Sequence, residues 1–490
     1  MVSNIKDKLI EIMGSENVAD SAEILESYQT DQSFVNGIRP WFVTKPRNAG
    51  QVQDLVKWAN ETGTSLVPVS SGDPHYKGDT IPNAPQSVIV DLSGMNRILS
   101  INRRQRMAVV EPGVTYGQLQ EALAKEGLAL STSLAPKKNK SVVTSVLEVE
   151  PRLNANHQWS YVDPLRCMEV TWGDGNTMFT GEAGGGVRDL EKQWADQRWQ
   201  LSGNGPNMFD FIRALTQAQG SMGIVTWASL KCEVCPTVHK MYFVPSDHIE
   251  TLTGFVRRVI HFRFSDELMV MNGAYLAELV GESAEEILEL KSRLPKWIAL
   301  IGVLGRELLP EQRVKQQAGD IGEIAGQFGL QMVEALQGVR GEKALSKAIN
   351  ASGEVYWKEA AKGAFQDIFF VTALDKAGTF IDAMYRLAEE TGYPAKDVGV
   401  YIQPQHCGSS YHLEFHLPYN PTDSEETATV RTLYDKGSKK MSDLGAFYSR
   451  PYNSWAKLQM NKDAQSYIAL KKLKGIFDPN NIMNTGKLTV

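Results

Sequence analysis

Apolar residues in the first half of the chain alternate between helical and strand spacing. The first helical run ends at Gly63, since glycine adopts the left-handed conformation of a helix terminus at little cost. Asp174-Gly175, between two short runs of strand-forming residues, predicts a hairpin. The other predicted elements are a helix at 49–61, strands near 65–69, 87–92 and 106–110, and a helix at 115–126.

The pattern changes between residues 238 and 440, where strands and helices follow each other in pairs. The predicted pairs lie at 240–244 and 247–260, at 296–303 and 310–328, and at 367–372 and 376–391, before a hairpin at 398–403 and 410–417. This order predicts one antiparallel sheet with helices packed on one face. We therefore expect an α+β fold divided at 1–237, 238–440 and 441–490, with a helix near 462–475 in the last segment.

Composition limits the class of partner. The 490 residues are too many for a single core, and 42% hydrophobic and 22% charged residues are typical of a globular protein. The net charge of -6 argues against nucleic acid as a partner. No apolar stretch is long enough for a membrane span, and the first residues do not resemble a secretion signal, so we expect a cytoplasmic protein. Cys232 and Cys235 lie on a predicted strand and point to opposite faces, which disfavours a metal or redox pair.

Small and turn-forming residues follow the predicted strand at 65–69. A loop of this composition exposes several backbone N–H groups to one anion, because glycine has no Cβ in the way and serine hydroxyls add donors. An exposed turn has a similar composition. The residues of the expected anion loop are Ser70, Ser71, Gly72, Asp73, Pro74, His75, Tyr76, Lys77 and Gly78.

Three further turns have features of backbone that contacts a ligand. Pro112-Gly113 joins a predicted strand to a predicted helix whose N-cap is Thr115. Gly223 opens a β-branched strand, where the missing side chain lets the backbone pass close to a ligand. A compact turn lies between Phe477 and Leu488. The glycine run at 181–186 follows a hairpin and opens no helix, so we interpret it as a loop.

In this order, these segments resemble the vanillyl-alcohol oxidase and p-cresol methylhydroxylase superfamily of FAD enzymes, from about residue 38 to the C-terminus. The resemblance implies a two-subdomain FAD-binding domain, a cap domain whose antiparallel sheet forms the substrate pocket, and a pyrophosphate site in the anion loop. It also implies that the tail returns to close the FAD domain. The other residues implied for the FAD site are Pro112, Gly113, Val114, Thr115, Ser141, Gly223, Ile224, Val225 and Lys487.

The chain departs from this family at three positions. Pro74 stands where some members have the histidine that attaches FAD covalently, so we expect dissociable FAD. Lysines replace a glycine-rich, flavin-facing segment at 137–140, where they could pair with phosphates or an anionic substrate, or remain solvated. In the tail, Tyr448 and Arg450 are separated by a serine, whereas phenol-oxidising members have an adjacent Tyr-Arg pair.

The hairpin strand at 410–417 concentrates candidate catalytic side chains. His412, Glu414 and His416 share one face. An exposed strand would show the same alternation, but the resemblance implies that this face covers the substrate pocket. We expect His412 or His416 to act as the base, with Arg450 and Tyr448 orienting the substrate. Imidazoles and a carboxylate could bind zinc or manganese, but we assign no metal.

These features predict an FAD-dependent oxidoreductase that transfers a hydride from a small alcohol or a para-substituted phenol to flavin N5. One alternative is a D-2-hydroxy-acid dehydrogenase of the glycolate or lactate type. Another is a non-catalytic flavin-binding subunit of a redox complex, suggested by the lysines at 137–140. The resemblance further implies a small-molecule substrate, an electron-acceptor protein, and a homodimer or redox complex.

Overall fold

A computed structural model describes residues 2–154, 156, 158, 160, 162–181 and 210–489. Its first sheet contains β1 (Val18–Ala19), β2 (Phe42–Thr44), β3 (Leu66–Val69) and β4 (Val88–Asp91), in the order β1-β2-β4-β3. The last three of these strands are parallel. The helices of this region are Val2–Met13, Ala22–Ser27 and Ala49–Thr62.

The helix Ala49–Thr62 confirms the helical spacing of its apolar residues. The Asn48 side chain accepts a hydrogen bond from the Gln51 amide at the N-terminus, and Gly63 closes the helix with a φ of 68°. These two caps satisfy backbone groups that an uncapped helix would expose. They set the position at which β3 begins and therefore where the anion loop after it lies.

The second sheet is antiparallel. Its strands are β5 (Ile98–Asn102), β6 (Met107–Val110), β7 (Leu128–Leu130), β8 (Leu165–Trp172), β9 (Thr177–Gly181) and β10 (Gly223–Val234). The order is β5-β6-β10-β8-β9, with β7 also paired to β10, and β8–β9 is the predicted hairpin. The helices are Tyr116–Lys125, Val142–Leu147 and Ile212–Leu215, and Thr115 caps the first in a capping box. Most of the glycine run, 182–186, lies outside the described residues.

The third sheet is also antiparallel, with the order β11-β13-β12-β17-β18-β16. A separate hairpin joins β14 to β15. The helices of this region are Ile249–Phe262, Gly273–Val280, Ala284–Arg293, Pro310–Gln327, Gly341–Ile349, Ala377–Thr391 and Ser424–Asp443. The strands are β11 (Val238–Ser246), β12 (Glu267–Asn272), β13 (Trp297–Gly305), β14 (Ala335–Leu336), β15 (Val339–Arg340), β16 (Ala364–Thr372), β17 (Gly399–Gln405) and β18 (Ser410–Tyr419).

Helices cover both faces of this third sheet, so the prediction that helices pack on one face only is wrong. The helices at 249–262, 310–327, 377–391 and 424–443 share one apolar core with the sheet. On the opposite face, β11, β12 and β13 carry apolar residues that pack with the helices at 273–280, 284–293 and 341–349. The alternation that predicted a polar face holds on β18, where His412 and Glu414 line the same cavity as the loop after β3.

The tail returns to the first sheet, as the resemblance implies. The Leu66 amide donates to the Ile482 carbonyl, and the Asn484 amide donates to the Leu66 carbonyl. The tail helices are Ser454–Met460 and Ala464–Phe477. Among the described helices, none has the length and apolarity that crossing a membrane requires.

Candidate functional site

A cavity of about 420 Å³ lies between the anion loop and the polar face of the third sheet. Its walls come from several parts of the chain, which include the loop after β3, the segments at 112–151 and 217–225, the strands β16–β18, and the tail around 450–455. The site therefore lies between segments that are far apart in sequence, as ligand sites between domains commonly do.

The anion loop packs against the segment 136–141. The Gly72 amide donates to the Asn139 carbonyl (2.9 Å), and the Ser141 amide donates to the Ser71 hydroxyl (3.0 Å). A Cβ on Gly72 would lie 2.8 Å from Asn139 Nδ2, so this contact requires a glycine unless the amide moves. Ser70 is tied to Thr144 by a hydroxyl–hydroxyl bond of 2.5 Å.

The predicted FAD residues divide into two groups. Those that line the cavity are Ser70, Ser71, Pro74, His75, Tyr76, Pro112, Gly223, Ile224 and Val225. Those that lie behind its wall are Gly72, Asp73, Gly78, Gly113, Val114, Thr115, Ser141 and Lys487.

Lys487 shows what the second group does. Its Nζ is buried and donates to the carbonyls of Gly78 (2.7 Å) and Ile81 (2.9 Å). Burial lowers the pKa of Lys487 to about 8, against the opposing effect of Asp79 and Asp31. The tail thus anchors the end of the anion loop through this ammonium group.

The three lysines at 137–140 have three different surroundings. Lys137 donates to the carbonyls of Gly72 (2.7 Å) and Pro74 (2.5 Å), and burial lowers its pKa to about 8. Lys138 is exposed and pairs with Glu354. Lys140 is inside the site. The lysines therefore brace the loop and the wall rather than fill the cavity.

Lys140 belongs to a group of four buried charges. Its Nζ lies 2.7 Å from Glu148 and 2.5 Å from Glu150. Lys77 approaches the same carboxylates at 3.2 and 3.6 Å. Burial lowers the pKa of Lys77, although both glutamates oppose this. The two lysines and two glutamates balance in charge, so this group leaves no net charge on the wall.

The opposite wall contains His412 and Glu414. Nε2 of His412 lies 3.4 Å from Oε2 of Glu414, while Oε1 of Glu414 accepts from Lys358 (2.5 Å) and from the Tyr275 hydroxyl (2.7 Å). Burial lowers the pKa of His412, with the Glu414 hydrogen bond opposing and Arg450 adding to the effect. Burial disfavours ionised Glu414, but Lys358 outweighs it and holds the pKa of this carboxyl well below its usual range. The arrangement sets a neutral imidazole beside an ionised carboxylate.

Within the described part of the chain, no carboxylate forms a salt bridge with Arg450, although it lies close enough to Glu150 to interact with it electrostatically. Its side chain is 5% exposed, and its Nε has no hydrogen-bond partner. The guanidinium lies over the Phe369 ring, with Cζ 3.9 Å from the centroid. Burying a cation without a salt-bridge partner is unfavourable in free energy unless an anionic ligand binds to it.

Two predicted catalytic residues lie away from the cavity. His416 is fully buried between Asp367 (2.7 Å) and Glu278 (2.8 Å). The Tyr448 hydroxyl donates to the Ser438 carbonyl (2.6 Å), and its ring stacks on Trp455. The sequence predicted that His412 and His416 share one face of the strand. It did not predict that the helix Gly273–Val280 packs over His416, because that helix is far away in sequence.

Several site residues were missed by the sequence analysis. Among them are Phe365, which stacks on the predicted Tyr76 with centroids 4.8 Å apart, and Tyr275 and Tyr401, which stack on each other at 5.3 Å. Together with Tyr356, Phe369 and Tyr452, these rings form an aromatic part of the wall. Aromatic residues at strand spacing in β16 and β17 were the available signal, but they are equally typical of a core. Within the described residues, no cluster of three or more metal-ligating side chains occurs.

Comparison with known proteins agrees with this architecture. The family model for the FAD binding domain matches residues 40–181, and that for the C-terminal domain of FAD linked oxidases matches residues 255–488. The structure of p-cresol methylhydroxylase with substrate bound superposes with a TM-score of 0.84 at 19% identity, covering 100% of this chain and 96% of that one.

Two relatives by sequence have different activities. Glycolate oxidase subunit GlcD of Bacillus subtilis is 22% identical over 504 residues, which span 100% of this chain and 97% of the relative. The flavoprotein subunit of 4-cresol dehydrogenase (hydroxylating) of Pseudomonas putida is 28% identical over 276 residues, which span 56% of this chain and 50% of that subunit. The chain covers 44% of the length of 1'-carboxy-chondrochloren decarboxylase of Chondromyces crocatus, and its coverage of the other curated relatives ranges from 28% to 98% of their length.

Proposed function

The chain belongs to the vanillyl-alcohol oxidase and p-cresol methylhydroxylase superfamily of FAD-dependent oxidoreductases, and on this premise we propose that it oxidises para-substituted phenols or related aryl alcohols. When bound, FAD accepts the hydride that leaves the substrate carbon. The guanidinium of Arg450, whose Nε has no hydrogen-bond partner and which lies over the Phe369 ring, carries this proposal.

The residues present fit FAD. The cavity extends from the anion loop to the polar face of β18, and its loop side presents the Ser70 and Ser71 hydroxyls with nearby backbone. At Gly223, a Cβ would lie 2.7 Å from the Thr171 carbonyl oxygen, so the backbone there is tightly packed beside the cavity. We propose that Ser70 and Ser71 hold the pyrophosphate end, and that the segment 223–225 contacts the adenine half.

Arg450 suits an anionic, planar substrate. A guanidinium stays charged at physiological pH and donates in a fixed plane, so it stabilises a phenolate or alkoxide oxygen. Tyr76, Phe365 and Phe369 provide flat apolar surface for a benzene ring. We therefore assign Arg450 to the substrate oxygen.

His412 is the proposed base. Because burial lowers its pKa, the imidazole is neutral and ready to accept the hydroxyl proton of the substrate. Ionised Glu414 orients the ring and stabilises the imidazolium that forms. We propose His416 and Tyr448 as supports of this site rather than as groups that contact the substrate.

A D-2-hydroxy acid is the alternative substrate class. The match to the glycolate oxidase subunit spans the whole chain, and Arg450 would bind a carboxylate as readily as a phenolate. The aromatic wall favours the phenol, since a short hydroxy acid would leave these rings without contacts. The bracing contacts of the lysines weaken the alternative of a non-catalytic subunit.

The test is anaerobic mixing of the FAD-loaded protein with two substrate panels, 4-alkylphenols with 4-hydroxybenzyl alcohols, and D-2-hydroxy acids. Loss of the flavin absorbance near 450 nm reports reduction. We expect reduction by the first panel. Reduction by hydroxy acids alone would replace the proposal by its alternative, and reduction by neither panel would favour a non-catalytic subunit.

A further inference from the structure

Lys77 lines the cavity but has no part in the reaction proposed above. Its Nζ lies 5.6 Å from the ring centroid of Phe369 and 5.3 Å from that of Tyr452. The same Phe369 ring contacts the Arg450 guanidinium, with Cζ 3.9 Å from the centroid. One aromatic ring of the cavity therefore has two cations beside it, one from the anion loop and one from the tail.

The ammonium group of Lys77 has hydrogen-bond donors to spare. An ammonium group donates several hydrogen bonds, whereas the described residues accept one from Lys77, at Glu148 (3.2 Å). Glu150 is more distant, at 3.6 Å. The Lys77 side chain is 24% exposed and lines the cavity, so its remaining donors face the space that a ligand would fill.

The two glutamates beside Lys77 do not use up its charge. Lys140 approaches both of them more closely, at 2.7 Å from Glu148 and 2.5 Å from Glu150. Lys77, Lys140 and Arg450 together supply three positive charges against these two carboxylates. Positive charge is therefore in excess at this end of the cavity.

Asp79 does little to reduce this excess. It lines the cavity, and burial raises the pKa of its carboxyl, with Glu148 adding to the shift and Lys77 opposing it. Burial thus favours the neutral acid over the carboxylate. An excess of positive charge of this size matches a ligand with a single negative charge.

The two cations suit a carboxylate better than a phenol. Lysine and arginine side chains donate hydrogen bonds and accept none. A phenol with a pKa of about 10 keeps its proton at neutral pH and offers one oxygen, whereas a carboxylate is ionised and offers an oxygen to each donor. Burial lowers the pKa of Lys77, and a bound carboxylate would oppose that shift, so the ligand and the charged lysine stabilise each other.

We propose that Lys77 and Arg450 together bind the carboxylate of an aryl alcohol, and that the preferred substrate is a benzyl alcohol with a carboxylate para to the reacting carbon. The inference rests on the proposed function, because it takes the same cavity and His412 as the base. The His412 ring also lies beside Phe369, with centroids 5.8 Å apart. A benzene ring packed against Phe369 therefore lies close to both cations and to the base.

The oxidation of such a substrate balances in atoms and electrons. The benzylic C–H bond breaks and its hydride goes to FAD, while His412 takes the proton of the hydroxyl group, so the alcohol becomes an aldehyde. The carboxylate is unchanged by this step. Lys77 and Arg450 donate to it before and after the reaction, and Lys77 thereby determines specificity without reacting.

The first test uses two ligands that have no benzylic hydrogen to lose. Benzoate and benzamide have nearly the same shape, but only benzoate carries a charge. Calorimetric titration of the FAD-loaded protein measures both dissociation constants, and we expect benzoate to bind at least about tenfold more tightly. Equal dissociation constants would overturn the inference whichever substrate class is oxidised.

The variant Lys77→Met should lose this preference, with Lys362→Met as the matched control. Lys362 also lies between two carboxylates, at 3.1 Å from Asp397 and 2.8 Å from Glu426, and its side chain is 28% exposed, but it lies outside the cavity lining. We expect the preference for benzoate over benzamide to fall at least about fivefold in Lys77→Met and to stay unchanged in the control.

Melting curves show whether each variant is folded. Lys77→Gln keeps a donor without the charge, so it should show the same loss of preference and replaces Lys77→Met if that variant does not fold. An unchanged preference in a folded variant would overturn the role of Lys77.

The second test compares anaerobic flavin reduction by 4-(hydroxymethyl)benzoate and by 4-hydroxybenzyl alcohol. In the parent protein, we expect the carboxylate substrate to reach half of its limiting rate at a concentration at least about tenfold lower, and this difference to disappear in Lys77→Met. Half-saturation at the lower concentration by 4-hydroxybenzyl alcohol would overturn the inference and leave the proposed function intact. Reduction by neither would refute the proposed function, whereas the titrations would still decide whether the two cations bind a carboxylate.

Discussion

Replacing Arg450 by methionine tests whether its guanidinium binds the substrate or only stabilises the fold. The guanidinium is 5% exposed, lies 3.9 Å over Phe369 and has an Nε without a partner. If it stabilises the substrate oxyanion, its removal should cost about 3–4 kcal/mol, as the loss of a preorganised donor does in other enzymes. That corresponds to flavin reduction slowed by about 10²- to 10³-fold.

The same variant should not unfold the protein. A buried cation without a counterion carries a desolvation cost of several kcal/mol, while its contact with Phe369 contributes only about 1–2 kcal/mol. We therefore expect the melting temperature of Arg450→Met, without substrate, to equal or exceed that of the parent protein. FAD should stay bound, since the anion loop does not depend on this side chain.

The assay is anaerobic stopped-flow reduction at 450 nm, with thermal melts of the same samples. Arg450→Lys keeps the charge but loses the planar donors, so its rate of flavin reduction should lie between the rates of the parent protein and of Arg450→Met. Arg313→Met removes an exposed arginine on the helix Pro310–Gln327 and serves as the control. A reduction rate for Arg450→Met within about twofold of the parent rate, or a fall of many degrees in melting temperature, would refute the reasoning.

Three further predictions concern the supports of the site. Burial lowers the pKa of His416, but neighbouring carboxylates raise it to about 9 from 6.5, so about 3 kcal/mol of stability is present below pH 6.5 and lost as the pH rises through 9. The melting temperature of His416→Gln should therefore change less between pH 6 and pH 10 than that of the parent protein. Parallel curves of melting temperature against pH would contradict this. Gly72→Ala should weaken FAD binding at least about tenfold because its Cβ meets Asn139 at 2.8 Å, whereas Gly94→Ala, with open space around it, should not; flavin fluorescence titration measures both. Lys487→Met should also weaken FAD binding, since it leaves two loop carbonyls without their donor, and an unchanged dissociation constant would disprove that role.

Local patterns predicted much of the fold. The capped helix ending at Gly63, the capping box at Thr115 and the hairpin at Asp174-Gly175 all appear where the residues indicated. Each depends on contacts within a few residues, so its signal lies in consecutive positions. The strand β12 and the helix at 273–280 were missed, because a nearly continuous apolar run gives no periodicity that separates a buried helix from a buried strand. The helices at 284–293 and 341–349 were also missed, although their apolar residues have helical spacing.

The candidate site was predicted in part. The polar face of β18 and the anion loop follow from strand alternation and from loop composition. His412 lies in the cavity, whereas His416 lies beneath a helix. The sequence does not predict this difference, because both histidines have the same local pattern. Arg450 was proposed from its charge, but the missing hydrogen-bond partner of its Nε is visible only once its neighbours are known.

The sequence by itself determined the family, the cofactor and the alternation on β18, because these depend on residue type and spacing over short stretches. Only the tertiary structure decided which charged groups meet. Lys358, Asp367, Glu278 and Lys291 come from four different elements, and their pairing depends on distances between elements that the order of residues does not encode. Buried charges interact strongly over a few ångströms, so the electrostatics of the site are a property of the packed fold.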